Sequence, residues 1–140
     1  MKLEQQVTSL DPSCRLKELG VKQESLFWWE PTSNRKDAKW SLQLCEFYCD
    51  CSYDDHCDAE PSGYTYNRED CISAFTVAEL GEMFNRQGVG GFRSALLGKD
   101  GWICFATTVK SGEHNERADT EADARAKMLI YLLENRLITL

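Results

Sequence analysis

Residues 120–135, TEADARAKMLIYLLEN, decide how the rest of the chain is read. At about 100° per residue, Ala122, Ala126, Leu129, Ile130 and Leu133 fall on one stripe of a helix. Ala124, Met128 and Tyr131 fall on a second, nearly opposite stripe. Thr120 stands where a hydroxyl caps the first turn, and Glu121 places negative charge where the helix dipole favours it. The flanks carry two i,i+4 pairs, Glu121/Arg125 and Asp123/Lys127. One stripe must face a sheet. The other is too apolar for a plain solvated face, so it meets either another part of the chain or a partner subunit.

Moving toward the N-terminus, Trp102 to Val109 reads as a strand, followed by SGEHNERAD as a loop with His114 exposed. QGVGGFRSALLGKDG before it also reads as a loop. TVAE at Thr76 is a capping box: the hydroxyl accepts from the N–H of Glu79 and that carboxylate reaches back to Thr76. The helix it starts carries Val77, Leu80 and Phe84 on one face. Gly81 inside it costs about 1 kcal/mol relative to alanine, which points to a close approach of another backbone. Cys71 to Phe75 reads as a short strand. Ser25 to Glu30 and Trp40 to Tyr48 read as two more, joined by PTSNRKDAK. A first helix is capped by Asp11, has Pro12 at its first position and stops at Gly20, with Val21 and Leu16 in contact at its end. The order of elements predicts a single α+β domain over residues 1–140, a small antiparallel sheet with helices packed on one face.

Charge is unevenly placed. Residues 45–60, CEFYCDCSYDDHCDAE, hold six carboxylates and no lysine or arginine, so of a net charge of −7 this segment supplies −6 and the remainder −1. The body is nearly neutral, without the basic face that a duplex nucleic-acid binder needs. Residues 45–66 read as an acidic, cysteine-rich loop or insertion. Cys45, Cys49, Cys51 and Cys57, with His56, offer enough donors for zinc at C-x3-C-x-C-x5-C, a spacing that lacks paired C-x2-C knuckles. The other reading is a solvated loop with reduced thiols. Seven cysteines without a secretory signal argue for reduced thiols throughout, and the short apolar run Met128 to Leu133 cannot cross a bilayer. The expected setting is the cytoplasm.

No catalytic motif is present. His56 beside Cys57 is not a nucleophile–base arrangement, since neighbouring strand side chains diverge, and the surrounding carboxylates suppress a thiolate. The expectation is a protein that is not an enzyme and carries no cofactor, zinc aside. Trp28 and Trp29 point to opposite faces of their strand, so one aromatic face is covered by dimer or intrachain packing, or forms a pocket in which a ring stacks. In the second case Arg86, Arg93 and Lys99 of the glycine-rich segment would contact the phosphates of a nucleotide.

Three segments, LKELGVKQESLFWW, SAFTVAELGEMF and ADTEADARAKMLIYLLENRLI, resemble a group of small uncharacterised proteins carried by bacteriophages and prophages. The resemblance covers about half the chain. It implies origin in a phage or integrated element and action in the host cytoplasm. Typical members have a shorter connection before SAFTVAELGEM and no acidic cysteine-rich insert. By analogy with small phage proteins, the expected role is non-enzymatic binding. The first candidate is anti-defence action by sequestering a nucleotide immune signal. The alternatives are inhibition of a host or defence protein and a metal-stabilised module. A homo-oligomer is expected, through the aromatic strand face or the second stripe of the last helix.

Overall fold

The computed structural model describes residues 2–33, 35–44 and 70–140. The segment 45–66, with its candidate ligands Cys45, Cys49, Cys51, Cys57 and His56, lies outside the described residues, as does the end of the second strand at Tyr48. The described elements are α1 (Leu10–Glu18), β1 (Phe27–Pro31), β2 (Trp40–Leu44), β3 (Ile72–Ser73), α2 (Val77–Arg86), β4 (Gly90–Leu96), β5 (Trp102–Thr108), β6 (Gly112–Ala118) and α3 (Glu121–Glu134). The fold is α+β, as its sequence predicts. Its strands form two antiparallel sheets instead of one, ordered β2-β1-β3 and β4-β5-β6.

The second sheet is largely unannounced in the sequence. GGFRSAL, expected as loop, is the edge strand β4, and GEHNERA, also expected as loop, is the opposite edge β6. β4 has glycines and a register shift between Gly90 and Arg93, which break the alternation that marks a strand. β6 is polar on both faces and shows no period of two. Both form because β5, with its buried Ile103, Cys104 and Ala106, gives them a ladder to pair with.

α3 lies against this sheet and also touches α1 and α2. Ala122, Ala124, Ala126, Met128, Leu129 and Leu132 are buried along it. The second stripe is therefore covered within the chain: Ala124 and Met128 are fully buried, and the Tyr131 ring stacks on His114 of β6 at 3.5 Å. Each fully buried Met or Leu here contributes about 1.5–3 kcal/mol, which makes α3 the centre of the core. It packs with Leu16, Phe75, Leu80 and Phe84 into one cluster.

The helix starts follow the sequence with one change. At Thr76 both bonds of the capping box form, and Thr120 accepts from the N–H of Asp123 at 3.1 Å. In α1, however, the cap position is Ser9, and Asp11 and Pro12 lie within the first turn. Pro12 is tolerated there because the first-turn N–H groups have no intrahelical partner. Ser9 instead donates its N–H to Asp123 at 2.7 Å, joining the starts of α1 and α3.

The three described α-helices end the same way. The N–H of Val21 bonds the carbonyl of Leu16, that of Val89 bonds Phe84, and that of Leu137 bonds Leu132, each across a residue in the left-handed region. Those residues are Gly20, Gly88 and Arg136, with φ of 85°, 63° and 53°. This is the Schellman ending, with its apolar contact between the two bonded residues. A side chain in the left-handed region costs about 1–2 kcal/mol, so α3 carries a penalty that the other two avoid. Arg136→Gly is expected to stabilise the protein by about 1 kcal/mol, read as a higher midpoint in urea. An unchanged or lower midpoint would contradict this account.

Candidate functional site

The starts of α2, β5 and α3 converge beside β1 and the N-terminal turn. Between them lies a cleft of about 240 Å³ lined by Gln5, Gln6, Phe27, Trp102, Glu121 and the first turn of α2. Gly101 sets its far wall. Its φ is 79°, and a Cβ there would meet the Ala118 carbonyl oxygen at 2.5 Å, so only glycine lets β5 begin at Trp102. Phe27 is brought in from the first sheet, whose β1 is anchored at both ends of its neighbouring chain. The Glu79 carboxylate accepts from the N–H groups of Leu26 and Thr76, and the Trp29 indole donates to the Thr8 carbonyl at 2.9 Å. Thr8 in turn exchanges bonds with the backbone of Phe75 and shares a 2.6 Å bond with the Ser13 hydroxyl.

Glu121 of the cleft lining belongs to a charge pair that its i,i+4 spacing with Arg125 announces; what the spacing does not show is its burial. Arg125 and Glu121, expected as an i,i+4 pair on a helix flank, have side chains just 17% and 23% exposed and are bonded at 2.7 Å. The Arg125 guanidinium also donates to the Val77 carbonyl and to the Ser94 hydroxyl, and lies over the Phe92 ring at 4.9 Å. Ser94 bonds the same Glu121 oxygen that Arg125 uses, Oε1. Gly81 is explained here. A Cβ at that position would stand 2.9 Å from Arg125 Nη1, so the close approach is made by a guanidinium and not by another backbone. An arginine on the narrow flank between two apolar stripes was the available signal.

A second, wider cleft of about 450 Å³ lies between the start of α1 and the end of β6. Asp11, Asp100, Asp119 and Asp123 border it with Arg117 and Lys127. Two of these are already engaged: Asp123 accepts from Ser9, and Lys127 donates to the Arg117 carbonyl at 3.0 Å. Lys127 and Asp123 thus have other partners than the helix pairing their spacing suggested.

The five candidate ligand residues are dispersed. Trp28 is buried and pairs across the sheet with Gln43 and Ser73, whereas Trp29 is held by Thr8. Arg86 ends α2 beside Glu82, and Lys99 lies in the 3-10 turn after β4. A seven-residue strand separates them, a span of about 23 Å. Arg93 stands over Phe105 at 4.7 Å and reaches Glu113 at 3.5 Å on the outer face of the second sheet. His114, expected as an exposed loop residue, sits on β6 and bonds Glu116 at 2.8 Å. Among the described residues no group of His, Cys, Asp or Glu is placed to hold a metal, and no helix is long and apolar enough to cross a membrane.

Cys14, Cys71 and Cys104 are free thiols. Burial, with Glu30 and Asp70 adding repulsion, pushes the Cys71 thiol up to about 11, and burial pushes Cys104 up to about 12. With ordinary values of 9.0, their thiolate fraction at pH 8 falls by about a hundredfold or more. Iodoacetamide at pH 8 should accordingly label these two at least about a hundredfold more slowly in the folded protein than in urea, as read by peptide mass mapping. Equal rates would refute their burial.

Burial also raises the Glu30 carboxyl above its ordinary 4.5. A raised folded value means the folded chain holds the proton longer, so Glu30 opposes folding once pH exceeds its unfolded value. Glu30→Gln should therefore raise the unfolding midpoint at pH 7 and leave it unchanged near pH 3. A gain at both pH values would point to a cause other than charge.

Comparison of the chain with protein-family models, with curated proteins and with solved structures finds no match.

Proposed function

We propose that this chain is a non-enzymatic binding protein of phage or prophage origin that acts in the bacterial cytoplasm by docking onto a host or defence protein. The origin rests on the three segments that resemble phage and prophage proteins. The mode of binding rests on the size and charge of the two clefts found among the described residues. At about 240 Å³, the first is smaller than the roughly 300–1,000 Å³ pockets that enclose drug-sized ligands. It suits one side chain inserted from a protein surface, with aromatic walls and polar groups at the rim.

Sequestration of a nucleotide signal has the Arg93–Phe105 pair in its favour, since a guanidinium over a ring also attracts bases and phosphates. It draws less support overall. The larger cleft is bordered by four aspartates that repel phosphate, and Arg86, Arg93 and Lys99 border neither cleft. Against an enzyme, among the described residues, stand the thiols of Cys71 and Cys104, which burial pushes up, and His114, which is bonded to Glu116 and stacked on Tyr131.

Affinity capture from bacterial lysate, followed by reconstitution with the purified partner, tests the proposal. The expected outcome is one stoichiometric partner whose complex persists in size-exclusion chromatography with mass measurement. Saturable thermal stabilisation by a cyclic oligonucleotide or adenine nucleotide, with no protein retained, would replace it with the nucleotide reading.

A further inference from the structure

We infer that the cleft between Phe27 and Trp102 is an anchor site for one arginine side chain presented by a partner protein, an inference that rests on the protein-binding reading and names its point of contact. The starting observation is the division of labour on Glu121. Its Oε1 accepts from Arg125 Nε, Arg125 Nη2 and the Ser94 hydroxyl. Its Oε2 takes no hydrogen bond among the described residues, although Glu121 lines the cleft. The carboxylate is thereby held in place through one oxygen while the other stays available, an acceptor organised before any ligand arrives.

The remaining groups agree with a cation better than with an anion. The first turn of α2 would ordinarily attract negative charge, but its capping box is closed and the Glu79 carboxylate already sits on the Thr76 N–H. Among the described residues no lysine or arginine lines the cleft, and Arg125, the cation bonded to Glu121, also donates to Val77 and Ser94. Gln6 at the rim supplies a side-chain carbonyl, whereas that of Gln5 already accepts from the Lys2 backbone N–H at 3.2 Å. Phe27 and Trp102 supply apolar walls for an aliphatic stem and rings that attract a guanidinium. Arginine matches this combination because its planar fork can meet a carboxylate oxygen and an amide carbonyl at once, which a lysine ammonium does less well.

The test uses N-acetyl-L-arginine amide as probe, followed through the Trp102 indole N–H signal of the full-length protein by NMR. That signal is assigned by its loss in Trp102→Phe. N-acetyl-L-citrulline amide, which has the same shape without the charge, and N-acetyl-L-leucine amide are the controls. The expected result is a saturable shift with the arginine probe, about threefold or more tighter than with the citrulline probe. Ala78→Trp, at an exposed position of the α2 first turn lining the cleft, should abolish it. Gln6→Lys, which adds a competing charge at the rim without touching the core, should weaken it and serves if Ala78→Trp fails to fold. No shift at Trp102, equal binding of the citrulline or leucine probe, or unchanged binding in the variant that folds would overturn the inference.

Capture of the partner separates this idea from the one beneath it. Equal capture by parent and Ala78→Trp proteins overturns the anchor and leaves the protein-binding reading intact. Absence of any partner, with the arginine probe still saturating Trp102, overturns that reading and leaves the basic-side-chain site standing.

Discussion

A helix enclosed on several sides cannot hide a charge without a partner, and Arg125 of α3 is the charge around which this structure is arranged. Its guanidinium joins Glu121 on its own helix, Ser94 on β4 and the Val77 carbonyl at the head of α2. A partly buried pair of this kind adds little net stability, yet losing one member would leave the other stranded at a cost of several kcal/mol. The pair therefore specifies an arrangement more than it strengthens one. It ties α2, β4 and α3 at one point, and glycine at position 81 leaves room for the guanidinium there.

The candidate site inherits its order from this point. Glu121 is held by Arg125, Trp102 by the turn at Gly101, and Phe27 by the bonds that Glu79 and Thr8 make to both ends of its surroundings. None of the cleft residues relies on a long loop for its position. The second cleft differs in kind, because its acidic border has one carboxylate and one ammonium already spent on joining α1, α3 and β6. What distinguishes the first cleft is a single carboxylate oxygen left over beside two aromatic side chains, Phe27 and Trp102.

Legibility followed the locality of the interactions. The capping box at Thr76, the cap at Thr120 and the stop at Gly20 each depend on residues within a few positions, and each forms as its sequence suggests. β4 and β6 depend on β5, whose pairing supplies what GGFRSAL and GEHNERA lack in periodicity. The same holds for the two tryptophans. Alternation placed Trp28 and Trp29 on opposite faces, but the first is buried and pairs with Gln43 and Ser73, and the second bonds Thr8, 21 positions away. Arg136 gave no local sign of standing where Gly20 and Gly88 stand, because a left-handed arginine is tolerated only when the rest of α3 is already in place.

By itself, the sequence determined the helices, the starts of α2 and α3, the end of α1, the α+β class, and the apolar character of α3 on two stripes, all set by capping chemistry and a 3.6-residue period. Tertiary structure alone decided that both stripes are covered within the chain, that the strands divide into two sheets, and that Phe27, Trp102 and Glu121 border one cleft. The physical reason is the same in each case. These outcomes are pairings between elements far apart in the chain, and no single segment carries the partner that makes its own placement favourable.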